Sequence, residues 1–156
     1  MREYINRLRR MKPFQRFILL LIPLFILMAL IDIKFDDTFR ASTVFWEYVS
    51  LYWMWATAFA IGIGIVYYNI TKDKSEAVAF PIAFYVLHMT GLEDVLYYLI
   101  KIHSIPSSMD HLFTHPVMGN IAKVLGYNTV TPTSLIISVL IGITITYYIV
   151  KYLRRM

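Results

Sequence analysis

The chain has 156 residues, 58% hydrophobic and 16% charged, with a mean hydropathy of +0.59. So little charge at this length argues against an ordinary soluble domain and points to the membrane. The lack of cysteine excludes disulfides, thiolate metal sites and thiol catalysis, and the net charge of +5 gathers near the termini, where anionic headgroups are a better partner than nucleic acid.

Four apolar runs follow one another, so the sequence predicts an all-α polytopic membrane protein forming a single membrane domain. The first run, about 17–35, is slightly short and extends through Phe35. Pro23 kinks it without ending it, because lipid offers the backbone no other partner. A cleaved signal peptide is the rival for residues 1–33, but the run is too long and no small-residue cleavage pattern follows. The second run covers about 44–68, the third about 77–100 and the fourth about 134–152. Each approaches the roughly 20 residues that cross about 30 Å of hydrocarbon.

Basic residues orient these spans. Arg2, Arg7, Arg9, Arg10, Lys12, Arg16, Lys72, Lys74, Lys151, Arg154 and Arg155 fall on one side, eleven of the fifteen Lys and Arg. Lys34, Arg40, Lys101 and Lys123 fall on the other. The positive-inside rule then places both termini in the cytoplasm of a cell-membrane protein, which four spans satisfy.

Between the third and fourth spans lies a long outer segment, about 103–130, read as an interfacial or partly re-entrant helical cap. "SSMDHLF" has a capping-box-like spacing, with Ser107 as N-cap and Asp110 three residues on. "VMGNIAKVLGYN" predicts a second short helix stopped by Gly126 and Asn128.

The third span carries the chemistry-bearing pattern, "HMTGLEDVLYYLIK". On a continuous helical wheel at about 100° per residue, Thr90, Glu93, Asp94, Tyr97 and Lys101 form one stripe about 100° wide, with His88 on the opposite face unless Gly91 distorts the helix. A charged carboxylate at this depth costs several kcal/mol unless paired, hydrated or protonated. Two adjacent carboxylates also repel, and a protonated form of one relieves both costs. A structural pin is the plain reading of Glu93 and Asp94; a functional acid, base or ion site is the sharper one. Glu93, Asp94 and Tyr97 are the candidate catalytic residues, and Thr90 and Lys101 extend the site as binding residues.

Asp32 and Glu47, at the hydrocarbon edge of the first two spans, are further binding candidates. Asp36 and Asp37 read as a solvated loop, and the aromatics around Trp46 and Trp53 as an interfacial belt. In "DHLFTH", His111 and His115 at i, i+4 would share one helix face and, with Asp110, could hold a divalent metal. Exposed histidines near headgroups are the plain alternative, and no glutamate completes a zinc-protease pattern.

The ten residues "GLEDVLYYLI" resemble the membrane-embedded lycopene cyclase domain, in which an acidic dipeptide precedes two aromatics on an apolar helix. The resemblance implies acids that protonate a polyene. It lacks the proline usual before the acids and covers no other part of the chain.

Three functions are compatible with these residues. One is a membrane enzyme acting on a lipid or isoprenoid by general acid–base chemistry, with or without a metal. The others are a proton- or cation-binding transporter and a non-catalytic subunit of a larger complex or homo-oligomer. The inner half of the third span, "AVAFPIAFYVL", has no ionisable group, which disfavours a path to both sides. No nucleotide fingerprint, nucleophile elbow or basic–aromatic nucleic-acid surface is present.

Overall fold

The computed structural model describes residues 3, 8, 10–39 and 45–153, the side chains of 35–39 and 45–53 excepted. Those residues are helical apart from short links and one isolated bridge between Met109 and Val130. Helix α1 runs Pro13–Phe39, α2 Phe45–Thr71, α3 Lys74–Met89, α4 Leu92–Lys101, α5 Met118–Val124 and α6 Pro132–Leu153, with a 3₁₀ turn at Asp110–Thr114. Three stretches are long and apolar enough to cross a membrane: Pro13–Lys34, Met54–Thr71 and Pro132–Leu153. Helices α3 and α4 pass the same criterion only together and meet at 60°. The chain is an all-α polytopic membrane protein, with three candidate spans among the described residues, or four if the bent pair is one.

Each end of these helices has a local cause. Proline suits the first helical position, and Pro13 opens α1 with the Lys12 N–H donating to Gln15 Oε1 at 3.2 Å. Pro23 lies inside α1 without ending it. Proline again opens α6 at Pro132, where Thr131 and Ser134 exchange reciprocal bonds: Thr131 N to Ser134 Oγ at 2.9 Å, and Ser134 N to Thr131 Oγ1 at 3.3 Å.

The 60° bend in the third span is the largest departure from expectation. Helix α3 stops because Thr90 N donates to Val86 O and Gly91 N to His88 O, while Gly91 takes φ +88°. A left-handed glycine just after the last helical residues is a common helix stop. A Cβ on Gly91 would also come within 2.5 Å of Met118 Sδ and 2.6 Å of Leu135 Cδ1. Backbone angle and crowding both select glycine here.

Helix α3 packs mainly between α2 and α6, while α4, turned away by the bend, packs chiefly on α1. The inward face of α1 carries Phe17, Leu21, Phe25 and Met28, while Leu19, Ile22, Ile26 and Leu30 stay exposed. Lipid tails are as apolar as leucine, so close packing and polar contacts, rather than escape from water, hold such helices together. Small residues on α6 serve that end: Ser138, Gly142 and Thr146 are buried four residues apart, and a Cβ on Gly142 would overlap Thr90 Oγ1.

The segment after α4 folds over one end of the bundle. Met109 N donates to Val130 O at 2.8 Å, closing the segment on itself. Met109, Leu112, Met118 and Ala122 form a second apolar cluster with Tyr98 of α4 and Leu135 of α6. The anticipated α-helix from Ser107 is instead the 3₁₀ turn after Met109, and Asp110 accepts from Thr129 Oγ1 at 2.6 Å rather than capping. The second short helix forms as expected, ending before Gly126.

Candidate functional site

The bend changes the setting of the acidic pair. Breaking the span at Gly91 creates a helix N-terminus within the apolar run, and Glu93 and Asp94 fall in the first turn of α4. Free N–H groups and the helix dipole favour negative charge there. Gly91 has no side chain with which to cap α4. The carboxylates thus occur where the backbone best tolerates them, which a continuous wheel could not reveal.

Glu93 is 7% exposed, and its Oε1 has no hydrogen-bond partner among the described residues. Asp94 is half-buried, so only Glu93 of the pair lies in the buried interior. Asp32 of α1 lies close enough for its charge to act on both. It stands seven residues, two turns, beyond Phe25 on the inward face of α1.

The rest of the anticipated stripe divides. Tyr97 and Lys101 remain on α4, where Lys101 Nζ donates to Tyr97 OH at 3.0 Å and lies 5.2 Å from the ring centroid. Thr90 is separated by the bend. Its hydroxyl donates back to Val86 O at 2.9 Å and Leu87 O at 3.1 Å, against Gly142. Glu47, Asp36 and Asp37 lie outside the described side chains. His88 sits apart, stacked on Phe84 at 5.8 Å and Phe25 at 6.4 Å.

The metal set is not assembled. A 3₁₀ turn advances about 120° per residue, so positions four apart no longer share a face. His115 also falls beyond the turn, in an extended conformation. His111 Nε2 and Tyr98 OH are hydrogen-bonded at 3.1 Å, while Asp110 accepts from Thr129. His115 Nδ1 accepts the backbone N–H groups of Val117 at 3.3 Å and Met118 at 3.5 Å. Burial lowers the pKa of His115, matching this acceptor role. Among the described residues no group of three His, Asp or Glu is arranged to hold a metal ion.

Sequence reasoning missed a second polar centre. Arg16 Nη2 donates to both carboxylate oxygens of Glu76, at 2.7 and 2.8 Å, and Tyr67 OH donates to Glu76 Oε2 at 2.7 Å. Glu76 is fully buried. Arg16 reads in sequence as one of many flanking basic residues, and Glu76 follows Asp73 at a capping-box spacing, so both look local. Nothing in the pattern links positions 60 residues apart.

Comparison with protein families, curated proteins and solved structures finds no match to this chain, so the ten-residue likeness to the lycopene cyclase domain has no wider counterpart.

Proposed function

We propose that the chain is a small membrane enzyme that acts on a lipid or isoprenoid by general acid–base chemistry at Glu93 and Asp94. The observation that carries this reading is Glu93: a nearly buried carboxyl, one oxygen unpartnered, at a break in an apolar helix pair, with Asp94 and Asp32 of like charge beside it. Ionisable groups at membrane depth are costly and mark functional sites by default. In its protonated form Glu93 donates a proton to the substrate, and Asp94 is the neighbouring base that accepts one. Asp32 adds negative charge that favours cationic character in the reacting group, and Tyr97 with Lys101 flanks the outer side. Membrane lipid is the substrate source and solvent. The positive-inside rule places the basic end in the cytoplasm of a cell-membrane protein.

A transporter of protons or cations is the second reading, favoured by the broken helix, since discontinuous spans frame binding sites in many transporters. Packing of the carboxylates against a second copy or a larger complex is a third use of the same face.

Lipid extracts of cells producing the wild-type, Glu93→Gln and Asp94→Asn proteins at equal membrane levels separate these readings. The enzyme reading expects at least one lipid species whose abundance changes with the wild type and with neither variant. Identical lipid profiles in all three would overturn it, and loss of proton or cation flux in the same variants would favour transport.

A further inference from the structure

Asp73 and Glu76 have the spacing of a reciprocal capping box, in which the glutamate side chain returns to the N-cap N–H. Half of that box forms: Glu76 N donates to Asp73 Oδ1 at 3.0 Å. The other half does not, because Asp73 N donates to Thr71 Oγ1 at 3.2 Å instead. Thr71 thereby releases the Glu76 carboxylate, which turns inward to Arg16 of α1 and Tyr67 of α2. The short α2–α3 link, with Lys72 at φ +61°, brings Tyr67 beside Glu76. Three helices meet on one carboxylate.

Immediately inward lies a layer of rings. Phe17, Tyr67 and Phe80 approach one another at 5.5, 5.6 and 5.8 Å between centroids. All three are at most 1% exposed. Helix α6 reaches the same end, where Phe14 and Tyr147 meet edge to face at 5.5 Å. Lys12, Arg16, Lys72, Lys74 and Lys151 gather here, so this is the basic end of the bundle.

We infer that Arg16, Tyr67 and Glu76, backed by the Phe17–Tyr67–Phe80 layer, form a lock that shuts the basic end of the bundle. Whatever reaches Glu93 and Asp94 then comes from the opposite face or from the lipid. Opening this end would part a carboxylate from a guanidinium with little water to replace either partner, so the closed form is the resting state. A salt bridge that merely decorated a flank would be exposed; here the Glu76 side chain is fully buried and that of Arg16 is 10% exposed. The inference concerns access alone and holds whichever chemistry the carboxylates perform.

The lack of native cysteine makes access directly measurable. Ala60 is fully buried on α2, about 10 Å inward of Tyr67 at 1.5 Å per residue, and Lys74 is exposed at the basic end. Lys74→Cys identifies which membrane face is the basic one when an impermeant thiosulfonate is applied to vesicles of either orientation. Applied to that face, the reagent should leave Ala60→Cys at least 100-fold slower to label than Lys74→Cys. Adding Glu76→Gln should accelerate labelling of Ala60→Cys at least 10-fold, and adding Tyr67→Phe, which leaves the ion pair, several-fold. An apolar replacement, Arg16→Met with Glu76→Leu, should restore protection. Labelling of Ala60→Cys at a rate near that of Lys74→Cys would overturn the lock. So would failure of both Glu76→Gln and Tyr67→Phe to accelerate it; if Glu76→Gln does not accumulate, Tyr67→Phe decides alone.

Discussion

Two buried carboxylates among the described residues stand in opposite circumstances. At the basic end, Glu76 is fully buried and, among the described residues, accepts two hydrogen bonds from Arg16 and one from Tyr67. Beyond the helix break, Glu93 is almost as buried, yet among the described residues one oxygen has no hydrogen-bond partner and the charges of Asp94 and Asp32 act on it. Both sites remove a carboxylate from water, but only at Glu76 do the described residues supply an opposite charge. Glu76 is accounted for by stability. Glu93 is not, and an uncompensated group is where function is to be sought.

Splitting the ion pair should produce the largest effect. Arg16→Met or Glu76→Leu alone leaves a buried charge without its partner and should cost about 3–5 kcal/mol. Joining the two substitutions should recover most of that loss, read from unfolding of the purified protein in detergent. Equal losses that simply add would show that the residues act through packing instead of through each other.

Gly91→Ala probes the break that creates the second environment. A left-handed alanine costs about 1–2 kcal/mol from the backbone alone, and the new methyl also meets Met118 and Leu135. Combining it with Met118→Ala should relieve part of the crowding and none of the backbone cost. An alanine without effect would mean that the left-handed turn is not required.

Much of the fold was legible because hydropathy is a strong signal over 20 residues. Helices α1, α2 and α6 each begin within four residues of the start expected for them. The break was also written in the sequence, as "HMTG" followed by an acidic first turn. Continuous apolarity concealed it, since a helix stop inside hydrocarbon looks unfavourable until cap, close packing and following helix are seen together. The Arg16–Glu76 pair was illegible for a different reason. Local chemistry offers each residue a plausible use, and only the three-dimensional meeting of α1, α2 and α3 assigns a shared one. The histidine pair failed on period: positions 111 and 115 share a face in an α-helix but not across a 3₁₀ turn and its extended exit.

The smallest predicted effect lies in the cap. Burial depresses the pKa of His115, whose Nδ1 accepts the Val117 and Met118 N–H groups. A depressed folded-state value means that the neutral ring stabilises the cap above the unfolded pKa of about 6.5, and that this contribution is lost as pH falls below it. Protection of the Val117 and Met118 amides, relative to the intrinsic exchange rate at each pH, should therefore fall on acidification. His115→Asn, which keeps an acceptor and cannot titrate, should remove that fall. Protection unchanged across that range in the wild type would rule out the acceptor role.

The contrast between the two carboxylates is tested most directly by matched substitutions. Glu76→Gln and Glu93→Gln change the same atoms at sites of similar burial, and thermal unfolding of both can be compared with the wild type in one detergent. The account predicts that Glu76→Gln lowers the midpoint by several degrees because Arg16 loses its counter-charge. It predicts that Glu93→Gln leaves the midpoint unchanged or higher, because a neutral amide removes repulsion from Asp94 and Asp32. A loss of stability in Glu93→Gln equal to that in Glu76→Gln would make Glu93 a structural pin and contradict the account.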